Sequence, residues 1–176
     1  MKPTVKEMIK VHPAFLVLAL IFSICFMASG FAAVKAGDYL KFRMTITDPV
    51  NGMSVTEIEN EVMSYSATDQ TYTTKETQTT LLPTPEAPVV TLNTVDADEL
   101  LSYQDVAQML KECTSMGGKR VKIQISAGIF QACKLDGELD SIYYAQVPQG
   151  LIKSVLVDQE TGFRSELTLQ AYRYGK

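Results

Sequence analysis

The feature that most constrains this chain is a two-residue alternation of apolar and polar side chains that recurs along most of its length. Residues 39–46 (YLKFRMTI) set Leu40, Phe42, Met44 and Ile46 on one side and Tyr39, Lys41, Arg43 and Thr45 on the other. Successive strand side chains point to opposite faces, so this pattern predicts a half-buried β-strand. Residues 53–65 resume it, with Thr56, Ile58, Asn60 and Val62 opposed to Glu57, Glu59 and Glu61. The intervening Asp48-Pro49-Val50-Asn51-Gly52 is turn chemistry, which predicts a hairpin. From Lys119 onward the alternation returns at 121–125, 129–135, 142–146, 151–157 and 163–174. Those segments are separated by Ala127-Gly128, Asp136-Gly137, Pro148-Gln149-Gly150 and residues 158–162, all turn formers.

Two segments are less regular. Residues 71–80 (TYTTKETQTT) are rich in β-favouring threonine and poor in apolar residues, which predicts a peripheral strand. Prolines 83, 85 and 88 make a stiff connection, and 89–92 predicts one more short strand. Only one stretch has helical spacing. Val106, Met109, Leu110 and Cys113 recur at i, i+3, i+4 and i+7 behind a capping-box variant, Ser102-Tyr103-Gln104-Asp105, and Gly117-Gly118 ends the run. The expected fold is therefore α+β, mainly β. It is one curved antiparallel sheet of about seven to nine strands wrapped around a single helix.

Residues 1–33 belong to another class of signal. Lys2, Lys6 and Lys10 form a basic leader, residues 14–28 (AFLVLALIFSICFMA) an apolar run, and Ser29, Gly30, Ala32 and Ala33 a small-residue exit. These are the three parts of a secretory signal, with cleavage expected after Ala32. The rival is a retained N-terminal anchor, because residues 14–34 carry no charge and about 20 apolar residues span a bilayer. Cys25 is preceded by Phe22 and Ile24 where a lipidation site needs an aliphatic and a small residue, so it is not expected to carry lipid. The expected organisation is a signal peptide over 1–32 and one exported β-rich domain over 33–176. Contact with the membrane is expected only through the N-terminal segment, if it is retained.

Export changes how the remaining composition reads. Residues 33–176 hold 13 basic and 19 acidic side chains, a net charge of −6, with no basic stripe. That argues against nucleic acid and against docking on anionic lipid. The single histidine, His12, lies in the leader. The exported domain therefore lacks the base of a Ser-His-Asp or Cys-His site and any histidine-bearing zinc site. Its two cysteines, Cys113 and Cys133, are expected to pair in an oxidising compartment.

Residual candidates for chemistry are weak. Asp136, Glu138 and Asp140 offer oxygen ligands but lack the spacing of a calcium loop, and read as an acidic turn. Glu57, Glu59 and Glu61 offer paired carboxylates for glycoside hydrolysis, yet carboxylates along one exposed strand face ordinarily keep that face in water. No catalytic residue, metal site or cofactor is expected.

Ile125-Ser126-Ala127-Gly128-Ile129-Phe130-Gln131-Ala132-Cys133-Lys134-Leu135, then Ile142-Tyr143-Tyr144-Ala145 and Val147-Pro148-Gln149-Gly150-Leu151-Ile152-Lys153, resemble a pattern of exported bacterial β-proteins. In that pattern a glycine-containing bend is followed by an aromatic strand and a glycine-led aliphatic strand. The group is similar in architecture to the half-barrel of lipoprotein carriers of the bacterial envelope. The resemblance covers roughly the last third of the chain. It implies the periplasm or envelope of a Gram-negative bacterium and supplies no activity.

The expected function is a non-enzymatic envelope domain that binds an apolar ligand, such as a lipid, or an envelope protein. Its expected apolar lining is Leu40, Phe42, Met44, Ile46, Ile123, Leu167 and Leu169, on strand faces that one short helix is too small to cover. A structural or assembly role in the envelope is the second reading, and a carboxylate-based hydrolase the third.

Overall fold

The computed structural model describes residues 34–176. The expected signal peptide, its cleavage point and the anchor alternative lie outside the described residues. Nine strands form one fully antiparallel sheet. They are β1 (Tyr39–Asp48), β2 (Gly52–Ser66), β3 (Thr71–Leu82), β4 (Val89–Asp96), β5 (Lys119–Ile125), β6 (Gly128–Asp136), β7 (Asp140–Tyr144), β8 (Leu151–Val157) and β9 (Arg164–Arg173). The one α-helix, α1 (Tyr103–Glu112), follows a short 3-10 turn at Ala97–Glu99. Among the described residues no helix is long and apolar enough to cross a membrane.

The strand order is β4-β3-β2-β1-β9-β8-β7-β6-β5. From β1 at the centre the path meanders outward to one edge, crosses to the opposite edge, and meanders back until β9 lies beside β1. The crossing is the segment that contains α1, so a single connection carries the chain past the whole width of the sheet. Every other connection is a local reversal. At the first of them the Asp48 carboxylate accepts the backbone N–H groups of Val50 at 2.7 Å and Asn51 at 3.1 Å. Gly52 then takes a positive φ of 83°, which a side chain would resist.

The helix begins where its sequence said it would. The Ser102 hydroxyl accepts the Asp105 N–H at 3.1 Å, and the Asp105 carboxylate accepts the Ser102 N–H at 3.0 Å. This reciprocal cap satisfies two of the donors that every helix start leaves open. Val106, Met109 and Cys113 turn inward. Cys113 is bonded to Cys133 of β6, with Cα atoms 5.6 Å apart. Val106 lies against Gly150, where an added Cβ would sit 2.8 Å from Val106 Cγ2 and 3.4 Å from the Tyr144 ring. The helix is thus held to the β6–β8 side of the sheet by a covalent link and a close backbone approach.

The sheet also curls back on itself. β5 and β9 are separated by three strands in the sheet order, yet they touch. The Phe130 ring of β6 meets the Tyr172 ring of β9 at 6.0 Å. The right-handed twist of neighbouring strands accumulates across a sheet, and here it brings the β5–β6 hairpin round to the face of β9. The sheet therefore covers part of its own apolar surface, a cover that pattern reading along one strand does not reveal. The main core gathers Leu40, Phe42, Ile58, Ala132, Ala145, Val147, Ile152 and Leu169. A second, smaller core of Val34, Val62, Tyr72 and Leu100 closes the β2–β4 end.

Two expectations shift in detail. The threonine-rich β3 is second from the edge, and the edge itself is β4, which runs to Asp96 rather than stopping at Leu92. Asn93 and Asp96 are residue types that strands disfavour. Their pairing with Thr71–Thr74 of β3 holds them extended.

Candidate functional site

The strand pairing places the expected apolar lining row by row. Phe42 of β1 pairs with Leu169 of β9 and with Ile58 of β2. Met44 pairs with Leu167, which pairs with Ser154 of β8, which pairs with Ile142 of β7. Ile46 pairs with Ser165, which pairs with Leu156 of β8. Directly paired residues share a face, and residues two apart along a strand share it too. These three rows are therefore successive levels of one surface.

Burial falls away along them. Leu40, Phe42 and Leu169 are buried, with Phe42 only 5% exposed. Met44 and Leu167 are half-buried against the core, as is Ile123 of β5. Ile46, Leu156 and Ile142 are half-buried and lie outside both cores. The apolar surface thus runs from a closed interior at Phe42 and Leu169 to an incompletely covered end at Ile46 and Leu156. All seven residues expected as lining lie on this graded surface or, for Ile123, on the strand that curls toward it.

The opposite end of β1 carries a polar corner that the sequence did not disclose. Asp38, immediately before β1, is only 2% exposed. One carboxylate oxygen accepts the Tyr103 hydroxyl and the Gly175 N–H, the latter at 2.7 Å. The other accepts the Lys35 N–H at 2.8 Å. A single buried carboxylate thereby ties the segment just before β1, the first turn of α1 and the segment after β9 together. The arrangement is sound because a buried charge is tolerated only with its hydrogen bonds made. Burial, and the bond to Asp38 behind it, pushes the Tyr103 phenol well above its ordinary pKa. The Tyr174 hydroxyl donates to the Gln146 carbonyl at 2.7 Å. Lys35, Tyr103, Gln146, Tyr174 and Gly175 line an open cavity of about 320 Å³ here. An aspartate next to an amphipathic strand has no signature of its own, since its partners lie 65 and 137 residues away.

The carboxylates considered for catalysis are engaged otherwise. Lys41 pairs with Glu57 at 2.7 Å and Glu59 at 3.1 Å, Arg43 with Glu57 at 3.0 Å, and Arg173 with Glu61 at 2.8 Å. The Lys41 and Arg43 hydrogen bonds hold the Glu57 carboxyl below its usual range. A general acid for glycoside cleavage needs the reverse shift. In the Asp136 turn, Lys134 at 2.6 Å and Ser141 at 2.6 Å hold the Asp136 carboxyl down to about 2. Among the described residues no group of three acidic, histidine or cysteine side chains is placed to hold a metal ion. None of their buried side-chain polar atoms lacks a hydrogen-bond partner. Of the tandem tyrosines, Tyr144 is buried, whereas Tyr143 lies half-buried under the Lys134 ammonium, 5.8 Å from its ring centre.

No protein-family model matches the chain, and no curated protein does. Among solved structures it is similar to a Bacteroides fragilis protein with a YmcC-like fold. That protein is 10% identical, the alignment covers 83% of this chain and 100% of that one, and the TM-score is 0.47. It is also similar to the Pseudomonas aeruginosa MucA/MucB complex structure, at 11% identity over 80% of this chain and 52% of that one, with a TM-score of 0.43. The chain spans about half the length of that relative. A LolA superfamily protein from Nitrosomonas europaea aligns at 7% identity over 81% of this chain and 87% of that one, with a TM-score of 0.22.

Proposed function

We propose that the protein is an exported, non-enzymatic domain of the cell envelope that receives an apolar guest, of acyl-chain character, at the open end of its curled sheet. The observation that carries this reading is the graded surface from Phe42 and Leu169 to Met44, Leu167, Ile46 and Leu156. Its inner levels are closed and its outer level is half-covered, so a guest can extend the core without unfolding it. Export follows from the leader. The non-enzymatic reading is supported by the ion-paired state of the candidate carboxylates and by the absence of histidine from residues 33–176.

The experiment is a titration of the purified exported protein with a fluorescent fatty acid. Saturable binding is expected, and Leu167→Asp at the half-buried level is expected to weaken it at least tenfold, about 1.4 kcal/mol. Binding unchanged by Leu167→Asp, or no saturable binding, contradicts the reading. A structural or assembly role draws support from the full burial of Leu40, Phe42 and Leu169, and would be favoured by the second outcome.

A further inference from the structure

We propose that β4 is a self-association edge, through which two copies of this chain join their sheets by antiparallel β4–β4 pairing. The two edges of the sheet are β4 and β5, and they are built differently. β5 carries Lys119, Arg120 and Lys122, all exposed, the charged composition by which natural edge strands discourage further pairing. β4 reads VVTLNTVD and has no charge before its last residue, no internal proline and no register break against β3. Val89, Val90 and Leu92 are 64%, 55% and 67% exposed. Nothing among the described residues covers them.

The sequence of β4 fits a copy of itself. A two-fold axis that extends the sheet with both inner faces on the same side must pass through a residue, not between two residues. Centred on Leu92, it pairs Leu92 with Leu92, Val89 with Val95, Thr91 with Asn93 and Val90 with Thr94. Apolar residues meet apolar ones on both faces, polar meets polar, and the remaining pair joins two β-branched side chains. Moving the centre to Thr91 sets Val89 against Asn93 and leaves Val95 unpaired. In the Leu92 register the terminal Asp96 falls opposite Pro88 of the copy, so no like charges are brought together. The partner is therefore a second copy of this chain. An interface made of two paired edge strands alone is expected in the class below ~1,200 Å², that of weak, transient contacts, so association is expected between about 10 µM and 1 mM.

Sedimentation equilibrium of the purified exported protein over that range tests the association, and cysteine cross-linking tests its register. Wild-type protein is expected to shift from monomer to dimer. Leu92→Lys is expected to weaken dimerisation at least tenfold with an unchanged melting temperature. Under mild oxidation Leu92→Cys is expected to give a covalent dimer, because a residue on the axis faces its own copy. Val90→Cys, four residues out of register with its copy, is expected to give none. A wild-type chain that stays monomeric throughout overturns the proposal. So does a dimer that survives Leu92→Lys, or one that cross-links equally through Val90→Cys.

Discussion

Asp38 has a purely local role in the sequence and a global one in the fold. Its carboxylate takes three hydrogen bonds from segments that are far apart in the chain. Removing it leaves the Tyr103 hydroxyl and two backbone N–H groups to find other partners, and unsatisfied buried groups cost roughly 1–3 kcal/mol each. Asp38→Ala is therefore expected to lower unfolding stability by about 2–4 kcal/mol, read from urea denaturation. A loss under about 1 kcal/mol would mean that water replaces the carboxylate readily. Gly150 makes a second test at this scale. Its φ of 77° and the 2.8 Å approach of Val106 both oppose a side chain. Gly150→Ala is expected to cost about 2 kcal/mol and to loosen the helix.

At the scale of elements, most strands and the helix can be read from side-chain periodicity, because most strands have one face turned to the core and one turned to water. Leu40 and Phe42 against Lys41 and Arg43 is a pattern that only a half-buried strand explains. The helix cap was legible for a similar reason, since Ser102 and Asp105 act within one turn. The cystine was legible from composition and compartment together. It links α1 to β6 across 20 residues, and a loop of that length is worth about 3 kcal/mol in the chain-entropy model. Reduction, or the Cys113→Ser/Cys133→Ser double variant, is expected to lower stability by about that amount in denaturant titrations. No change on reduction would contradict the staple. What pattern could not supply was which strand borders which. The edge position of β4 and the contact of β5 with β9 depend on the order and accumulated twist of all nine strands. The incompletely covered end at Ile46 and Leu156 depends on the same curl, so the residues of this apolar face could be named from sequence while their gradient of burial could not.

For the whole molecule, the outer face is a lattice of ion pairs whose effect on stability depends on pH. Lys153 at 2.7 Å and Arg164 at 2.8 Å hold the Glu166 carboxyl down to about 2, and Glu57 is lowered by Lys41 and Arg43. A carboxylate whose pKa is depressed by folding binds its proton more readily in the unfolded chain. Its contribution is present above the unfolded value near 4.3 and is lost as pH falls through the folded value. The urea midpoint is therefore expected to fall steadily between about pH 4.5 and pH 2, and to fall less in Glu166→Gln. A midpoint equal at both ends of that interval would contradict it.

The proposed function stands on the half-covered end of the sheet at Ile46 and Leu156 being a place of entry. Methyl NMR of the purified protein, titrated with a long-chain fatty acid, tests it most directly. Saturable shifts confined to the methyl groups of Met44, Ile46, Ile142, Leu156 and Leu167, with those of Val90 and Leu92 on β4 unmoved, are the expected result. Shifts that never saturate, or that centre on β4 and leave Ile46 and Leu167 unchanged, would contradict it.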